Sequence, residues 1–482
     1  MDQDIKRSLT QILKQAAEML RALGETHLYT AHLMALLLIL YQSVKTEATA
    51  DPSKSNHLEL QTQALQDTPL QQLLNRCNEP GNGARIDQTL RDIANSSPEL
   101  AGVLETIQFD HGQLEEKRRR DEKISELLNL LASYQLEDKV SFADQLDAFL
   151  IDVAMVKGRT NGEFCTPPAV AELVASLMSP QDGEEIYDPA CGTGSLLIQC
   201  AKQVKQPDTT NDVSLYGQEI NANTWAIAQM NLTLHGEKKY DLKQGDTLRT
   251  PKFLQSTSAL KSFDVVVSNP PYNVSDWGYD SALHDPFVRF QFGIPPRTRA
   301  DSAFILHMVA SMKHGSGRCA AIIPHGILFR QGTEKEIRRQ LLASNLIDAV
   351  IGLPPKLLFN TPIPTALLIL RREKTDRDVL FVDASSAFQP GKIFNTLRGE
   401  DIQRIVEACV QRKSIDGFAK LVTESEINAK DCGLNLSLYI GKPHQEKQVN
   451  LQANREEHAV LRHELLELEN QLAALRLEID HE

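Results

Sequence analysis

The spacing of apolar and polar positions changes twice along the 482-residue chain, and each change marks a new kind of structure. Residues 1–150 carry apolar side chains at helical spacing, as in IKRSLTQILKQAAEMLRALG near the start of the chain. From about residue 183 to residue 385, short strand-like apolar runs alternate with helical segments. These patterns predict a helical N-terminal domain, residues 1–150, followed by an α/β domain over residues 151–445.

The second domain has the pattern of a parallel sheet covered on both faces. Its runs EEIYD, SLYGQE, FDVVVS, RCAAII, LIDAVIGL and TALLILR are the predicted strands, and helical segments lie between them. Alternation of this kind predicts an α/β fold with helices on both faces of the sheet. Ligands of such sheets bind beyond the carboxyl ends of the strands, so the residues that follow each strand are the candidates for chemistry.

The last segment, residues 446–482, has a third pattern. Leucine or isoleucine recurs at positions 461, 465, 468, 472, 475 and 479. These alternating steps of four and three are typical of a coiled-coil seam, which predicts a C-terminal helix for subunit association. A helix that packs back on its own chain is the alternative that this pattern leaves open.

Composition limits the classes of protein that the chain can belong to. A hydrophobic fraction of 41% and a charged fraction of 24% are typical of a soluble globular protein. No apolar run approaches the ~20 residues of a membrane span, and the first residues, MDQDIKRSLTQ, lack a signal-peptide core, so we expect a cytoplasmic protein without membrane contact. The seven cysteines are scattered singly and predict neither a disulfide framework nor a metal site.

Charge adds a constraint on partners. The formal net charge is −13, whereas a protein that binds nucleic acid unaided usually carries a basic surface. The basic run Lys117–Arg120 lies within a helical pattern beside Glu115 and Glu116. A solvated helix face is its ordinary explanation, and a phosphate contact is the alternative. Any binding to DNA is therefore expected to need a partner.

The first candidate site follows the run EEIYD, in Asp188-Pro-Ala-Cys-Gly192-Thr-Gly194-Ser. Its glycines allow a tight strand-to-helix turn close to a ligand, and the helix that follows offers free N–H groups. The chain contains no GxxxxGK[ST] phosphate loop, so ATP-driven chemistry is disfavoured. Glu219 ends the next strand, about 25 residues later, where a carboxylate suits the hydroxyls of a ribose. A helix N-cap is the alternative role for Glu219.

The second candidate site is Asn269-Pro270-Pro271-Tyr272, directly after FDVVVS. Two prolines stiffen this turn and remove two backbone donors, so a carboxamide and an aromatic ring are displayed at the end of a strand. By itself the motif could be an ordinary turn that ends a strand. The glycine turn and Glu219 at suitable spacing favour a functional site instead.

Together, the two motifs resemble those of S-adenosylmethionine-dependent amino-methyltransferases. Upstream, Gly162-Glu-Phe-Cys-Thr166-Pro-Pro168 resembles the segment that folds over the methionine part of the cofactor in that family. This order of motifs resembles the γ class of DNA adenine methyltransferases. Over roughly residues 140 to 440, the chain is most similar to the modification subunits (HsdM) of type I restriction–modification systems. The resemblance implies a Rossmann-like fold and methyl transfer from S-adenosylmethionine to N6 of adenine.

The resemblance also implies which residues form the site. The residues expected to bind the cofactor are Glu163, Phe164, Thr166, Pro167, Asp188, Ala190, Gly192, Gly194, Glu219 and Asp246. The residues expected to act on the substrate are Asn269, Pro270, Pro271 and Tyr272. The Asn269 side-chain oxygen and the Pro270 carbonyl would accept hydrogen bonds from the adenine amine and aim its lone pair at the sulfonium methyl. Tyr272 would stack on the flipped base, and no metal is expected.

The expected partners follow from what the chain lacks. About 60 residues separate DVLFVDASS from the C-terminal seam, which is short for a domain that reads base edges in double-stranded DNA. The resemblance implies a separate specificity subunit (HsdS-like) that joins two copies of this chain, with a restriction subunit as a further candidate partner. A protein-glutamine N5-methyltransferase, which also uses Asn-Pro-Pro-Tyr, and a non-catalytic scaffold subunit of a DNA-modification assembly are the alternatives.

Overall fold

The computed structural model describes residues 9–22, 29–49, 68–111, 114–133, 143–151, 165–205, 212–359, 363–441 and 458–469. Within these residues, nine strands form one sheet and two form a separate hairpin. The strands of the sheet are β1 (Glu185–Asp188), β2 (Ser214–Glu219), β3 (Tyr240–Gln244), β6 (Val265–Ser268), β7 (Arg318–Pro324), β8 (Ile347–Gly352), β9 (Thr365–Arg371), β10 (Val379–Asp383) and β11 (Ala419–Val422). The hairpin consists of β4 (Leu254–Ser256) and β5 (Ala259–Leu260).

The order of the sheet is β11-β10-β8-β9-β7-β6-β1-β2-β3. The five strands from β7 to β3 are parallel, and so are β8 and β10. β9 runs antiparallel between β7 and β8, and β11 runs antiparallel to β10. A parallel neighbour needs a crossover that is usually helical, and the described part of the β8–β9 connection contains no helix. The predicted α/β fold is confirmed, with a sheet that is mostly rather than wholly parallel.

Helices cover both faces of this sheet. Because successive side chains of a strand point to opposite faces, Val265 and Val267 of β6 lie in one apolar cluster and Val266 lies in the other. The helices of this region are Pro168–Met178, Ser195–Val204, Ala222–Leu234, Tyr279–Ala282, Asp301–Ala310, Thr333–Ala343, Gly399–Gln411 and Glu424–Ala429. Strands β7 and β8 are buried along their whole length, which explains why their sequences are continuous apolar runs.

The N-terminal region is helical, as predicted. Its described helices are Leu9–Ala22, Tyr29–Thr49, Pro69–Asn75, Asn82–Ser96, Leu114–Ala132 and residues 143–151. They share one apolar cluster with Ile227, Met230 and Leu234 of the helix Ala222–Leu234, so that helix packs against the N-terminal helices. The chain divides into two compact units, Met1–Ile440 and Gly441–Glu482. A domain boundary near residue 150 stays a prediction.

The basic run lies on the helix Leu114–Ala132 and pairs with acids near it. Lys117 forms an ion pair with Asp110 at 2.9 Å, and Arg118 lies 3.8 Å from Glu122 on the next turn. These contacts fit a solvated helix face. Among the described residues, no helix is both long enough and apolar enough to cross a membrane.

In the second unit, residues 458–469 form a helix. The first three seam positions, Leu461, Leu465 and Leu468, are 57%, 57% and 61% exposed. The remaining predicted seam positions, 472, 475 and 479, lie outside the described residues. The described part of the seam therefore presents leucines to solvent at a spacing that suits a partner helix.

Candidate active site

The residues predicted to carry chemistry gather at one edge of the sheet. β6, β1, β2 and β3 are parallel neighbours in that order, so their carboxyl ends lie side by side. Asp188 ends β1, Glu219 ends β2, Asp246 follows the end of β3, and Asn269 follows β6 directly. The topology thus brings together four polar side chains that are spread between residues 188 and 269 of the sequence, as the strand ends predict.

The upstream segment reaches the same edge of the sheet in part. Thr166 is buried, and Pro167 is the N-cap residue of the helix Pro168–Met178. Thr166 contacts Asn269, although 103 residues separate the two in sequence. Glu163 and Phe164, which were predicted for the same segment, lie outside the described residues.

The glycine turn after β1 depends on the absence of side chains. Gly192 and Gly194 have φ angles of 55° and 83°, in the left-handed region that favours glycine. A Cβ on Gly194 would lie 2.6 Å from Cδ1 of Leu232, so a side chain at this position would collide with the neighbouring helix. Asn231 Nδ2 donates to the carbonyl between the two glycines at 2.8 Å. The turn is therefore held rigidly at the start of the helix Ser195–Val204.

Glu219 contacts the glycine turn with one carboxylate oxygen and the next helix with the other. Its Oε2 accepts a hydrogen bond from the N–H of Gly192 at 3.1 Å, and its Oε1 accepts one from Asn221 at 2.8 Å. The N-cap of the helix Ala222–Leu234 is Asn221, whose side chain accepts from the first turn. The N-cap alternative for Glu219 is therefore wrong. Burial raises the pKa of the Glu219 carboxyl above its ordinary value.

Asp188 is buried at the end of β1. Its Oδ1 accepts hydrogen bonds from the N–H of Ala190 at 2.9 Å and from the hydroxyl of Ser268 at 2.8 Å. Burial raises the pKa of Asp188 from 3.8 to about 7, and the charge of Glu219 acts in the same direction. Because Ser268 directly precedes Asn269, its hydrogen bond to Asp188 connects the glycine turn to the Asn269 turn. Sequence reasoning missed Ser268, although a hydroxyl that ends an all-valine run was the available signal.

Asp246 lies in the loop after β3, and this loop is fastened to β2. The N–H of Gly245 donates to the carbonyl of Glu219 at 2.9 Å, and Asp246 Oδ1 accepts from two N–H groups of its own turn. Ile220, directly after Glu219, is 61% exposed. An exposed apolar side chain at this edge offers an apolar contact to a ring. Ile220 was not among the predicted site residues, and its signal is an apolar residue directly after the acid.

The Asn269 turn holds its carboxamide in a buried position. Asn269 is 7% exposed; its Nδ2 donates to the hydroxyl oxygen of Thr166 at 3.3 Å, and its Oδ1 accepts from the hydroxyl of Tyr272 at 2.6 Å. Burial raises the pKa of Tyr272, so its hydroxyl remains a donor at any working pH. Pro270 is buried and Pro271 is partly exposed. The turn therefore presents an uncharged acceptor beside an aromatic ring.

Hydrogen bonds made by the residues after the Asn269 turn fix the direction in which the chain leaves it. The N–H of Asn273 donates to Asp301 at 2.8 Å, and Asn273 has a φ of 57°. Trp277 is 2% exposed, and its ring N–H donates to the carbonyl of Pro296 at 3.0 Å. Trp277 thus packs inside the protein rather than facing a ligand.

The charge pattern indicates what the site can bind. The carboxyl groups of Glu219 and Asp246 lie at neighbouring strand ends and are partly exposed, so they suit hydroxyl and ammonium groups, whereas that of Asp188 is buried. The carboxamide of Asn269 adds an acceptor without charge. Among the described residues, no group of three or more His, Cys, Asp and Glu side chains could hold a metal ion.

A mostly parallel sheet with a glycine turn after one strand, an acid after the next and a buried carboxamide after a third defines an S-adenosylmethionine-dependent methyltransferase. The chain belongs to the N-6 DNA methylase family, whose model matches residues 137–448. Membership confirms the family that the motifs resemble, the enzyme class and the cofactor.

Individual relatives agree with this assignment. The chain is 33% identical over 375 residues to the methylase subunit of the type I restriction enzyme MpnII from Mycoplasma pneumoniae, across 75% of this chain and 67% of that one. It is 36% identical over 323 residues to the MjaVIII methylase subunit from Methanocaldococcus jannaschii, across 64% of this chain and 54% of that one. A type I restriction–modification methyltransferase subunit from Streptococcus thermophilus superposes with a TM-score of 0.79 at 28% identity, across 90% of this chain and 99% of that one. The match to the curated relatives thus spans about half to two thirds of their length.

Proposed function

We propose that this chain is the modification subunit of a type I restriction–modification system. In this role it transfers a methyl group from S-adenosylmethionine to N6 of an adenine flipped out of double-stranded DNA. The observation that carries the proposal is the buried Asn269 carboxamide, which lies one strand away from the glycine turn and Asp188 and two strands away from Glu219. Relatives described as type I methylase subunits support the same role.

The described residues fit the cofactor. Glu219, whose carboxylate contacts the glycine turn, would accept hydrogen bonds from the ribose hydroxyls. Asp246 and the exposed Ile220 would flank the purine ring. Gly192 and Gly194 leave room for close approach to the backbone. Asp188, with Ala190 beside it, holds the turn in shape. We assign Glu163, Phe164, Thr166 and Pro167 to the segment that covers the methionine part.

The Asn269 turn would prepare the substrate amine. Bound S-adenosylmethionine supplies a methyl group on a positively charged sulfur. The lone pair of the adenine amine is delocalised into the ring, which makes the amine a poor nucleophile. Asn269 Oδ1 and the Pro270 carbonyl would accept hydrogen bonds from its two N–H groups and thereby draw the nitrogen toward a tetrahedral geometry with an available lone pair. Pro271 keeps the turn stiff, and Tyr272 would stack on the base and offset part of the cost of flipping.

Recognition of the DNA sequence is assigned to a partner. The relatives are subunits of larger enzymes, and the net charge of −13 argues against strong DNA binding by this chain alone. We assign recognition to a specificity subunit that binds two copies of this chain, with a restriction subunit as a further partner. The exposed leucines of residues 458–469 provide a surface for that association.

The test is base-resolved detection of N6-methyladenine in the genome of a methylation-free host. The host expresses this chain alone, this chain with its specificity subunit, or the Asn269→Ala variant with the same subunit. We expect methylation at one sequence motif, only with the partner present, and none with Asn269→Ala. Methylation by the chain alone would contradict the proposal that a partner recognises the DNA sequence. Absence of methylated adenine in every case would favour a protein-glutamine substrate or a scaffold.

A further inference from the structure

Thr166 connects the upstream segment to the Asn269 turn. Thr166 is 6% exposed, and its hydroxyl oxygen accepts a hydrogen bond from Asn269 Nδ2 at 3.3 Å. At the other end of the same carboxamide, Oδ1 accepts from the hydroxyl of Tyr272 at 2.6 Å. The two ends of one buried amide are therefore held by two different residues.

The orientation of this amide decides whether it can receive an amine. The two ends of a carboxamide have nearly the same shape and opposite hydrogen-bonding character. An adenine amine donates hydrogens, so it needs Oδ1 and gains nothing from Nδ2. When Oδ1 faces the amine, Nδ2 points into the protein, where a buried donor without an acceptor is costly. The hydroxyl of Thr166 supplies that acceptor.

We propose that Thr166 is a positioning residue for methyl transfer that acts through Asn269; this inference rests on the function proposed above. By accepting the hydrogen bond from Asn269 Nδ2, Thr166 allows Oδ1 to face the amine without leaving a buried donor unsatisfied. Without the hydroxyl, the amide turns or shifts to find another acceptor, and the amine loses its alignment with the methyl group. Because small errors of alignment are costly in such transfers, the rate constant falls.

Thr166 also lies on the segment that we assign to the cofactor, and the experiment must separate that role from the contact with Asn269. A residue that only contacts the cofactor would change the affinity for S-adenosylmethionine. A residue that orients Asn269 would change kcat at saturating cofactor.

The experiment compares Thr166→Val, which keeps the shape and removes the hydroxyl, with Thr166→Ser, which keeps the hydroxyl. Both are measured in the complex with the specificity subunit, by kcat at saturating DNA and cofactor and by the Kd for S-adenosylmethionine from calorimetry. We expect Thr166→Val to lower kcat by about 10- to 100-fold with Kd changed by less than about threefold. Thr166→Ser should restore kcat to within about threefold of the wild type.

Each other result overturns the proposal. A Thr166→Val complex with unchanged kcat and a raised Kd would make Thr166 a cofactor contact only. A loss of kcat in Thr166→Ser with wild-type kcat in Thr166→Val would mean that the methyl group, not the hydroxyl, matters. If the wild-type complex methylates no adenine, the proposed function fails and this inference fails with it. If the wild-type complex methylates adenine normally, a contrary result for the variants counts against the role of Thr166 and not against the proposed function.

Discussion

The hydroxyl of Tyr272 donates a hydrogen bond to Asn269 Oδ1 at 2.6 Å. This oxygen is the acceptor that we assign to the adenine amine. The hydroxyl of Tyr272 therefore fills one of the two lone-pair sites of this oxygen and competes for it with an entering amine. The ring of Tyr272, which is half-buried against the apolar core, is the surface on which we propose that the base stacks.

Replacing Tyr272 by phenylalanine removes this competition and keeps the ring. The lost hydrogen bond contributes about 1 kcal/mol to the arrangement in which the Tyr272 hydroxyl is bonded to Asn269 Oδ1. We therefore predict that the KM for DNA falls about fivefold in Tyr272→Phe. Tyr272→Ala is the matched variant: it removes the hydroxyl and also the stacking surface, so its KM should rise. Steady-state methylation of a cognate duplex measures both. A higher KM in Tyr272→Phe would show that the hydroxyl helps to hold the base.

Gly194→Ala tests the glycine turn. The new Cβ would lie 2.6 Å from Leu232, at a φ of 83° that costs an L-residue about 1–2 kcal/mol. We predict a loss of at least that free energy of unfolding and an affinity for S-adenosylmethionine that is weaker by about tenfold or more. Gly399→Ala is the control, because a Cβ there meets no atom within 4 Å. Urea unfolding and calorimetry measure the two effects, and wild-type cofactor affinity in Gly194→Ala would contradict the assignment of the turn.

Part of this site could be predicted from the sequence because its signals are local. The buried strands are continuous apolar runs, and Asp188, Glu219 and Asn269 come directly at strand ends. The bond between Ser268 and Asp188 could not be predicted, since it depends on β6 pairing with β1 rather than on any local pattern. For the same reason the antiparallel insertion of β9 was not predicted: the direction of a strand leaves no mark in its apolar pattern.

One missed feature did have a signal. The helix Ala222–Leu234 is apolar around most of its circumference, as its sequence ANTWAIAQMNLTL shows. Such a helix is buried on several sides. Ala228 and Leu232 pack on the sheet, whereas Ile227 and Met230 pack on the N-terminal helices. The close association of the two regions could have been predicted from this helix.

The raised pKa of Asp188 predicts a pH dependence of stability. Burial raises the pKa from 3.8 to about 7, so between these values the folded state binds more protons than the unfolded state. The free energy of unfolding therefore falls as the pH rises from about 4 to about 7, by an amount on the order of 4 kcal/mol from this group. Asp188→Asn cannot ionise and should lose this part of the slope. Urea unfolding of the wild type and of Asp188→Asn at pH 5 and pH 8 measures this change in the free energy of unfolding. An equal change in both proteins would contradict the prediction.

The C-terminal seam predicts which leucines meet a partner. Leu465 is on the seam and 57% exposed, whereas its neighbour Leu466 is off the seam and 56% exposed. A lysine at a seam position loses the burial of a leucine, about 1.5–3 kcal/mol, so we predict that Leu465→Lys weakens association with the specificity subunit by at least about tenfold. Leu466→Lys, matched in residue type and exposure, should leave association unchanged.

Co-purification and titration of the specificity subunit measure both variants, and deletion of residues 450–482 gives the limit of complete loss. Binding of S-adenosylmethionine by the isolated chain should be the same in all three, because the site residues all precede residue 441. If the helix instead packed on its own chain, Leu465→Lys would lower the Tm of the isolated chain and spare the association. Equal effects of the two lysines would show that the surface is recognised by its apolar character alone, without the register of a coiled coil.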